Sequence, residues 1–140
     1  MYKVLIFVAV IFSLSNSVKT EDCPSEYFDG KDHYCYHIGT EAMTQSEAKK
    51  YCESKNGSLA YPVLPAPEEF KSMTHDFTKD IHAPLKNRLR QIAKRTGDRK
   101  WWLEYCWELE LVRVNKKKFI VNGLNCSKKR KPICEILYDH

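Results

Sequence analysis

The sequence predicts a small α+β domain held together by disulfides. Three observations point there. Six cysteines, Cys23, Cys35, Cys52, Cys106, Cys126 and Cys134, follow a short apolar leader. Helix-like patterns occupy the first half of the remaining chain. Strand-like alternation occupies the second, and helices followed by strands is an α+β order.

The leader comes first. Lys3 precedes an apolar run from Val4 to Leu14, shorter than the roughly 20 residues that cross a bilayer. It suits the core of a secretory signal peptide, with Ser15 and Ser17 before a cleavage point near residues 17–20. Residues 1–20 are read as signal and 21–140 as one domain. No later run is long and apolar enough for a membrane span. An even cysteine count behind such a leader reads as disulfides in a secreted protein. Zinc is the weaker rival, because no CxxC pair exists. The cysteine spacing alone leaves the pairing open.

Charge is unevenly placed. From Glu21 to His82 six lysines face twelve acids, a net of −6. From Ala83 to Pro132 fifteen basic residues face four acids, a net of +11. Such a basic half attracts anions or serves solubility alone.

The elements follow in order. Asp32–Ile38 alternates as an edge strand, with Tyr34 and Tyr36 on one face and Cys35 on the other. Thr44-Gln45-Ser46-Glu47 is a capping box, in which hydroxyl and carboxylate satisfy each other's free amides. Met43 can staple onto Ala48, and Ala48, Tyr51 and Cys52 form the buried stripe. Asn56-Gly57 ends this helix, with Gly57 expected in the left-handed conformation. Pro67, Glu68 and Glu69 mark a second helix start, and Phe70, Met73, Phe77 and Ile81 continue at helical spacing. Pro84–Arg95 is either a short basic amphipathic helix, with Leu85, Leu89 and Ile92 on one side, or a loop. Trp101, Leu103, Tyr105, Trp107, Leu109 and Leu111 alternate with Glu104, Glu108 and Glu110, as one half-buried strand or a pair. Phe119–Val121 and Ile133–Leu137 are two further strands.

Catalysis finds no support. There is no HExxH helix, GxSxG elbow or phosphate-cradling Gly-rich loop, so an enzyme is not expected. His33 and His37 flank Cys35 but lack a third metal ligand. Asn56-Gly57-Ser58 and Asn125-Cys126-Ser127 are N-glycosylation sequons. Lys116, Lys117 and Lys118 with Lys128, Lys129 and Arg130 are candidates for an anion-binding face. They are not interleaved with aromatics as nucleic-acid platforms are, so no nucleic-acid partner is expected. Trp101, Trp102 and Trp107 are the alternative contact surface, although three Trp in a small domain more often make core.

Certain strings resemble a known family. Cys23-Pro24, Tyr34-Cys35-Tyr36, Ala48-Lys49-Lys50-Tyr51-Cys52 and Gly57-Ser58-Leu59-Ala60 resemble the first half of a C-type-lectin-like domain. Asn125-Cys126 through Pro132-Ile133-Cys134-Glu135 resembles its close. The resemblance implies a fold of two helices and two small antiparallel sheets with three disulfides. The implied pairs are Cys23–Cys35, Cys52–Cys134 and Cys106–Cys126, the first marking the family's long form.

Sugar-binding members carry a Glu-Pro-Asn or Gln-Pro-Asp loop and a Trp-Asn-Asp string, whose oxygens hold calcium. Here the loop position is Thr96-Gly97-Asp98, and the string is Val121-Asn122-Gly123. Asp98, Glu104 and Asn122 are the metal ligands that the resemblance leaves, few for an ion taking six to eight oxygens. The expectation is therefore no cofactor and no calcium binding tighter than millimolar. The expected function is a secreted recognition protein, in the manner of innate-recognition members, that binds a protein or a sulfated or otherwise anionic glycan. The alternative is a calcium-dependent carbohydrate lectin with a degenerate site. Nothing in the sequence assigns an oligomeric state.

Overall fold

The computed structural model describes residues 23–30, 33–61, 74–78, 81–112, 118–123 and 125–138. The leader, most of the segment from Pro67, and Lys116 and Lys117 lie outside the described residues.

The described elements are β1 (Phe28–Asp29), β2 (Tyr34–Ile38), α1 (Gln45–Ser54), β3 (Ser58–Leu59), β4 (Thr74–Asp76), α2 (Ala83–Thr96), β5 (Lys100–Leu103), β6 (Trp107–Leu111), β7 (Phe119–Gly123) and β8 (Lys131–Leu137). The path through the sheet runs β1-β2-β8-β5-β6-β7-β4, with β3 also paired to β8. Its two antiparallel groups are joined where β8 runs parallel to β5, Trp101 beside Lys131 and Trp102 beside Pro132. The two expected sheets thus share one strand. β2 lies between β1 and β8 and is not an edge.

A helix covers each face of the sheet around β5. Successive strand residues point to opposite faces, so Trp101 and Trp102 face opposite ways. Trp101 packs in a cluster with Leu85, Leu89 and Ala93 of α2 and with Leu109, Phe119 and Val121. Trp102 packs with Ala48 and Cys52 of α1, Leu59 and Cys134. Its indole N–H donates to the Met43 carbonyl at 2.9 Å. Both indoles are fully buried, as is Trp107.

The α1 start forms the capping box read from Thr44 and Glu47. Its end differs from the expectation. Asn56, at φ 64°, takes the left-handed conformation, and Gly57 does not. Asn tolerates that region best among residues with a Cβ. Gly57 answers a different need. A Cβ there would lie 2.5 Å from the Tyr27 hydroxyl and 2.8 Å from the Glu135 carbonyl oxygen.

The second expected helix is corrected. Thr74–Asp76 is a strand paired antiparallel to β7, His75 opposite Val121. The Asp76 carboxylate then accepts from the Thr78 amide at 2.8 Å and turns the chain. Phe77 and Ile81 still reach the core, but from non-helical backbone. The second helix is the basic segment Ala83–Thr96, with Pro84 in its first turn and Gly97 stopping it at φ 76°.

Three disulfides close the fold: Cys23–Cys35, Cys52–Cys134 and Cys106–Cys126. The second ties α1 to β8. The third ties the turn between β5 and β6 to the loop after β7. In that turn Tyr105 and Cys106 both have positive φ, which separates β5 from β6 where the sequence showed one alternating run. No helix among the described residues is long and apolar enough to cross a membrane.

Candidate functional site

Strand register builds a polar cluster on the α1 side of the sheet. Lys100 lies opposite Glu110, and Trp102 opposite Glu108. Glu108 in turn lies opposite Asn122. Directly opposed residues share a face, so Lys100, Glu108, Glu110 and Asn122 converge there.

Arg130 closes the cluster from the loop before β8. Its backbone is clamped to Met43, beside the α1 cap, by two hydrogen bonds of 2.9 and 3.0 Å. Its guanidinium Nε donates to Glu108 Oε1 at 2.6 Å, and its Nη1 donates to the Lys129 carbonyl at 2.7 Å. Lys100 Nζ lies 3.8 Å from the same Glu108 oxygen and 3.1 Å from Glu110 Oε2. The Asn122 amide donates to Glu108 Oε2 at 3.3 Å and to Glu110 Oε1 at 3.4 Å. Glu108 is only 1% exposed. A carboxylate so buried needs a partner to stay charged, and here two cations and an amide supply it.

The remaining residues of the expected ligand set are committed elsewhere. Asp98 Oδ2 lies 3.2 Å from the buried Lys131 Nζ. Glu104 Oε1 lies 3.3 Å from Lys49 Nζ. Asp98 and Glu104 flank β5 on opposite ends, so their backbones are about 20 Å apart at ~3.3 Å per residue. Oxygens on one calcium lie about 2.3–2.6 Å from it, so this pair does not share an ion. Among the described residues no group of three His, Cys, Asp or Glu is placed to hold a metal. The residues do not fit the calcium site of the sugar-binding pattern.

The two histidines considered for metal are placed differently. The His37 ring lies 3.0 Å from the Glu26 carbonyl and 2.7 Å from the Tyr51 hydroxyl. It ties the first hairpin to α1. His33 sits at φ 72° at the start of β2. Tyr27 and Tyr51, partly desolvated in this region, have hydroxyl pKa values raised by burial.

The basic candidates divide. Lys118 pairs with Asp76 at 3.7 Å. It precedes β7, three strands from β8, or about 14 Å at ~4.8 Å per strand. That exceeds a Debye length of about 8–10 Å, so salt largely screens it from charges near the start of β8. Those two instead border a cleft of ≈500 Å³ with Gly97, Asp98, Arg99 and Lys100. A second cleft, ≈450 Å³, shares Arg99 with it and is lined by Arg90, Lys94 and Leu111 among others. Sequence reading left out Arg99, Lys100 and Glu108. Arg99 and Lys100 were counted only in the charge of the basic half. Glu108 sat at a polar position of an alternating run, which reads as solvent-facing. Asn56 and Asn125, the sequon residues, are both exposed.

No family model and no curated protein sequence matches the chain. Solved structures do. The C-type-lectin-like domain (CTLD) of mouse CD72a is 16% identical, covering 86% of this chain and 97% of its own, with a TM-score of 0.54. EMS16, an antagonist of the collagen receptor integrin α2β1, is 16% identical over 82% of this chain and 99% of its own, at 0.51. SPL-1 in complex with GlcNAc is 15% identical over 86% of this chain and 99% of its own, at 0.50. At such identities the likeness is one of architecture, and by it the protein has the C-type-lectin-like fold.

Proposed function

We propose that this protein is a secreted recognition domain that binds an anionic ligand without calcium. One observation carries the reading: the cluster centred on Glu108 is neutralised by the protein's own Arg130 and Lys100. The protein's own cations also hold Asp98 and Glu104, two of the three ligands that the sugar-binding pattern would leave here. Cations beyond those needed for this remain at the border of the Glu108 cluster. Among the described residues no carboxylate lies within ion-pair distance of Arg99 or Lys129.

The fold serves partners of both kinds, since EMS16 acts on a receptor protein and SPL-1 holds GlcNAc. Three disulfides in so small a domain suit an oxidising, extracellular setting, as does the leader. Asn56 and Asn125 are the proposed glycan acceptors.

A glycan array read with calcium and again with excess EDTA tests the reading. Anionic glycans are expected to bind equally in both. Binding confined to neutral sugars and abolished by EDTA would overturn the proposal in favour of a calcium-dependent lectin.

A further inference from the structure

We infer that the anion site is the pair of clefts that share Arg99, and that its ligand is a linear sulfated glycan. This rests on the reading above and gives it a place and a substrate class.

The first cleft lies between the chain leaving α2 and the loop entering β8. Arg99, Lys100, Lys129 and Arg130 border it, with Asp98 the only acid among its described lining residues. Asp98 is already met from beneath by Lys131. Counting the groups behind the wall, five cations face the carboxylates of Asp98, Glu108 and Glu110, so the cleft is net positive. The second cleft runs from Arg99 to Lys94 and to Arg90, which also lies over the Phe119 ring, with no acid among its described lining residues. The two clefts share Arg99, just before β5, so cations border both and the positive charge extends beyond one point, which suits a polymer with repeated charges.

The wall is also preorganised. Glu108 and the Lys129 carbonyl fix the Arg130 guanidinium at two nitrogens. Glu108 and Glu110 hold Lys100. Glu108 is therefore a positioning residue for the cleft. The Arg130 guanidinium keeps N–H groups beyond these two bonds, and sulfate oxygens accept such charge-assisted hydrogen bonds.

Other polyanions fit less well. Among the described residues no aromatic side chain lines either cleft, so they offer nucleobases no stacking platform. Among the described residues the exposed large apolar side chains are Tyr61, Tyr105 and Leu137, and none lines either cleft, so nothing there inserts into a bilayer.

The test uses the full secreted protein and four probes: a heparin oligosaccharide, its desulfated form, phosphatidylserine vesicles and single-stranded DNA. The wild type is expected to bind only the sulfated oligosaccharide appreciably. The double variant Arg99→Ala/Lys129→Ala should bind it roughly 25-fold more weakly, at about fivefold per cation. Its log–log salt slope should shrink by about two. Lys118→Ala should bind as wild type, and Arg99→Lys/Lys129→Arg should retain most affinity. On wild-type protein the oligosaccharide should protect Lys94 and Lys129 from acetylation but leave Lys118 reactive, a readout that needs no variant to fold. Unchanged affinity in the double variant, or no protection of Lys94 and Lys129, overturns the cleft assignment while leaving an anion-binding domain intact. Equal binding to vesicles or DNA overturns the sulfated-glycan assignment. No binding of wild type to any anion removes the functional reading itself.

Discussion

Replacing Arg130 with methionine takes the nearest cation from a carboxylate that scarcely touches water. Glu108 is 1% exposed, and Arg130 Nε stands 2.6 Å from it. Removing one partner of a buried pair costs about 3–5 kcal/mol. Lys100 at 3.8 Å and the Asn122 amide at 3.3 Å remain, which places Arg130→Met near the lower end, about 3 kcal/mol. Glu108→Gln leaves the cation behind instead. The Arg130 side chain is 18% exposed and rehydrates, so about 1–2 kcal/mol is expected. The double variant Glu108→Leu/Arg130→Met removes both charges and fills the volume with apolar atoms. It should recover more than half of the loss caused by Arg130→Met alone. Urea unfolding with disulfides intact measures all three, and at roughly 1–3 kcal/mol per molar the Arg130→Met midpoint falls by about 1–3 M. A loss below about 1 kcal/mol for Arg130→Met, or a double variant less stable than it, would show that the pair is not the buried anchor described.

Three other outcomes follow from local geometry. Lys55 beside Glu26, and the Thr44 amide and hydroxyl on Glu47, hold both carboxyls below their ordinary value of 4.5. The stability they contribute is full above that value and lost as pH falls through the lowered pKa. The melting temperature should therefore drop as pH falls below about 4.5, and Glu47→Gln should flatten that slope; an identical slope contradicts the capping role. Gly57→Ala places a methyl group 2.5 Å from the Tyr27 hydroxyl and should cost about 1–3 kcal/mol by thermal melting, against a neutral result if the backbone there is free to move. Removing Cys52–Cys134, which closes 82 residues, should destabilise more than removing Cys23–Cys35, which closes 12. Loop entropy gives about 4.5 against 2.8 kcal/mol, and the reverse order in denaturant titrations contradicts that account of the bridges.

What could be read from sequence was local chemistry. The capping box at Thr44 and Glu47 involves four consecutive residues, and sequence and structure agree on it. The Leu85 and Leu89 stripe likewise marked a face that the structure buries. Errors came where distant residues decide. Phe77 and Ile81 are core residues as their spacing suggested, yet pairing with β7 draws Thr74–Asp76 into the sheet. Gly57 is needed for a close approach by Tyr27 and Glu135, which lie far away in sequence. Glu108 alternated with apolar residues as a solvent-facing glutamate does. Its burial depends on Arg130, 22 residues later, whose own position is set by Met43. The basic runs were visible at once. Which lysines share a surface depends on strand order, and that order separates Lys118 from Lys129.

Calorimetric titration of calcium into the metal-free protein tests most directly whether this domain works without the metal. With Asp98, Glu104 and Glu108 paired to Lys131, Lys49 and Arg130, no heat of binding is expected below millimolar calcium. Thermal unfolding monitored in parallel should not shift with calcium or EDTA, because a ligand that does not bind the folded state cannot stabilise it. A micromolar site, or a melting temperature that rises with calcium and falls back with EDTA, would contradict the calcium-free reading.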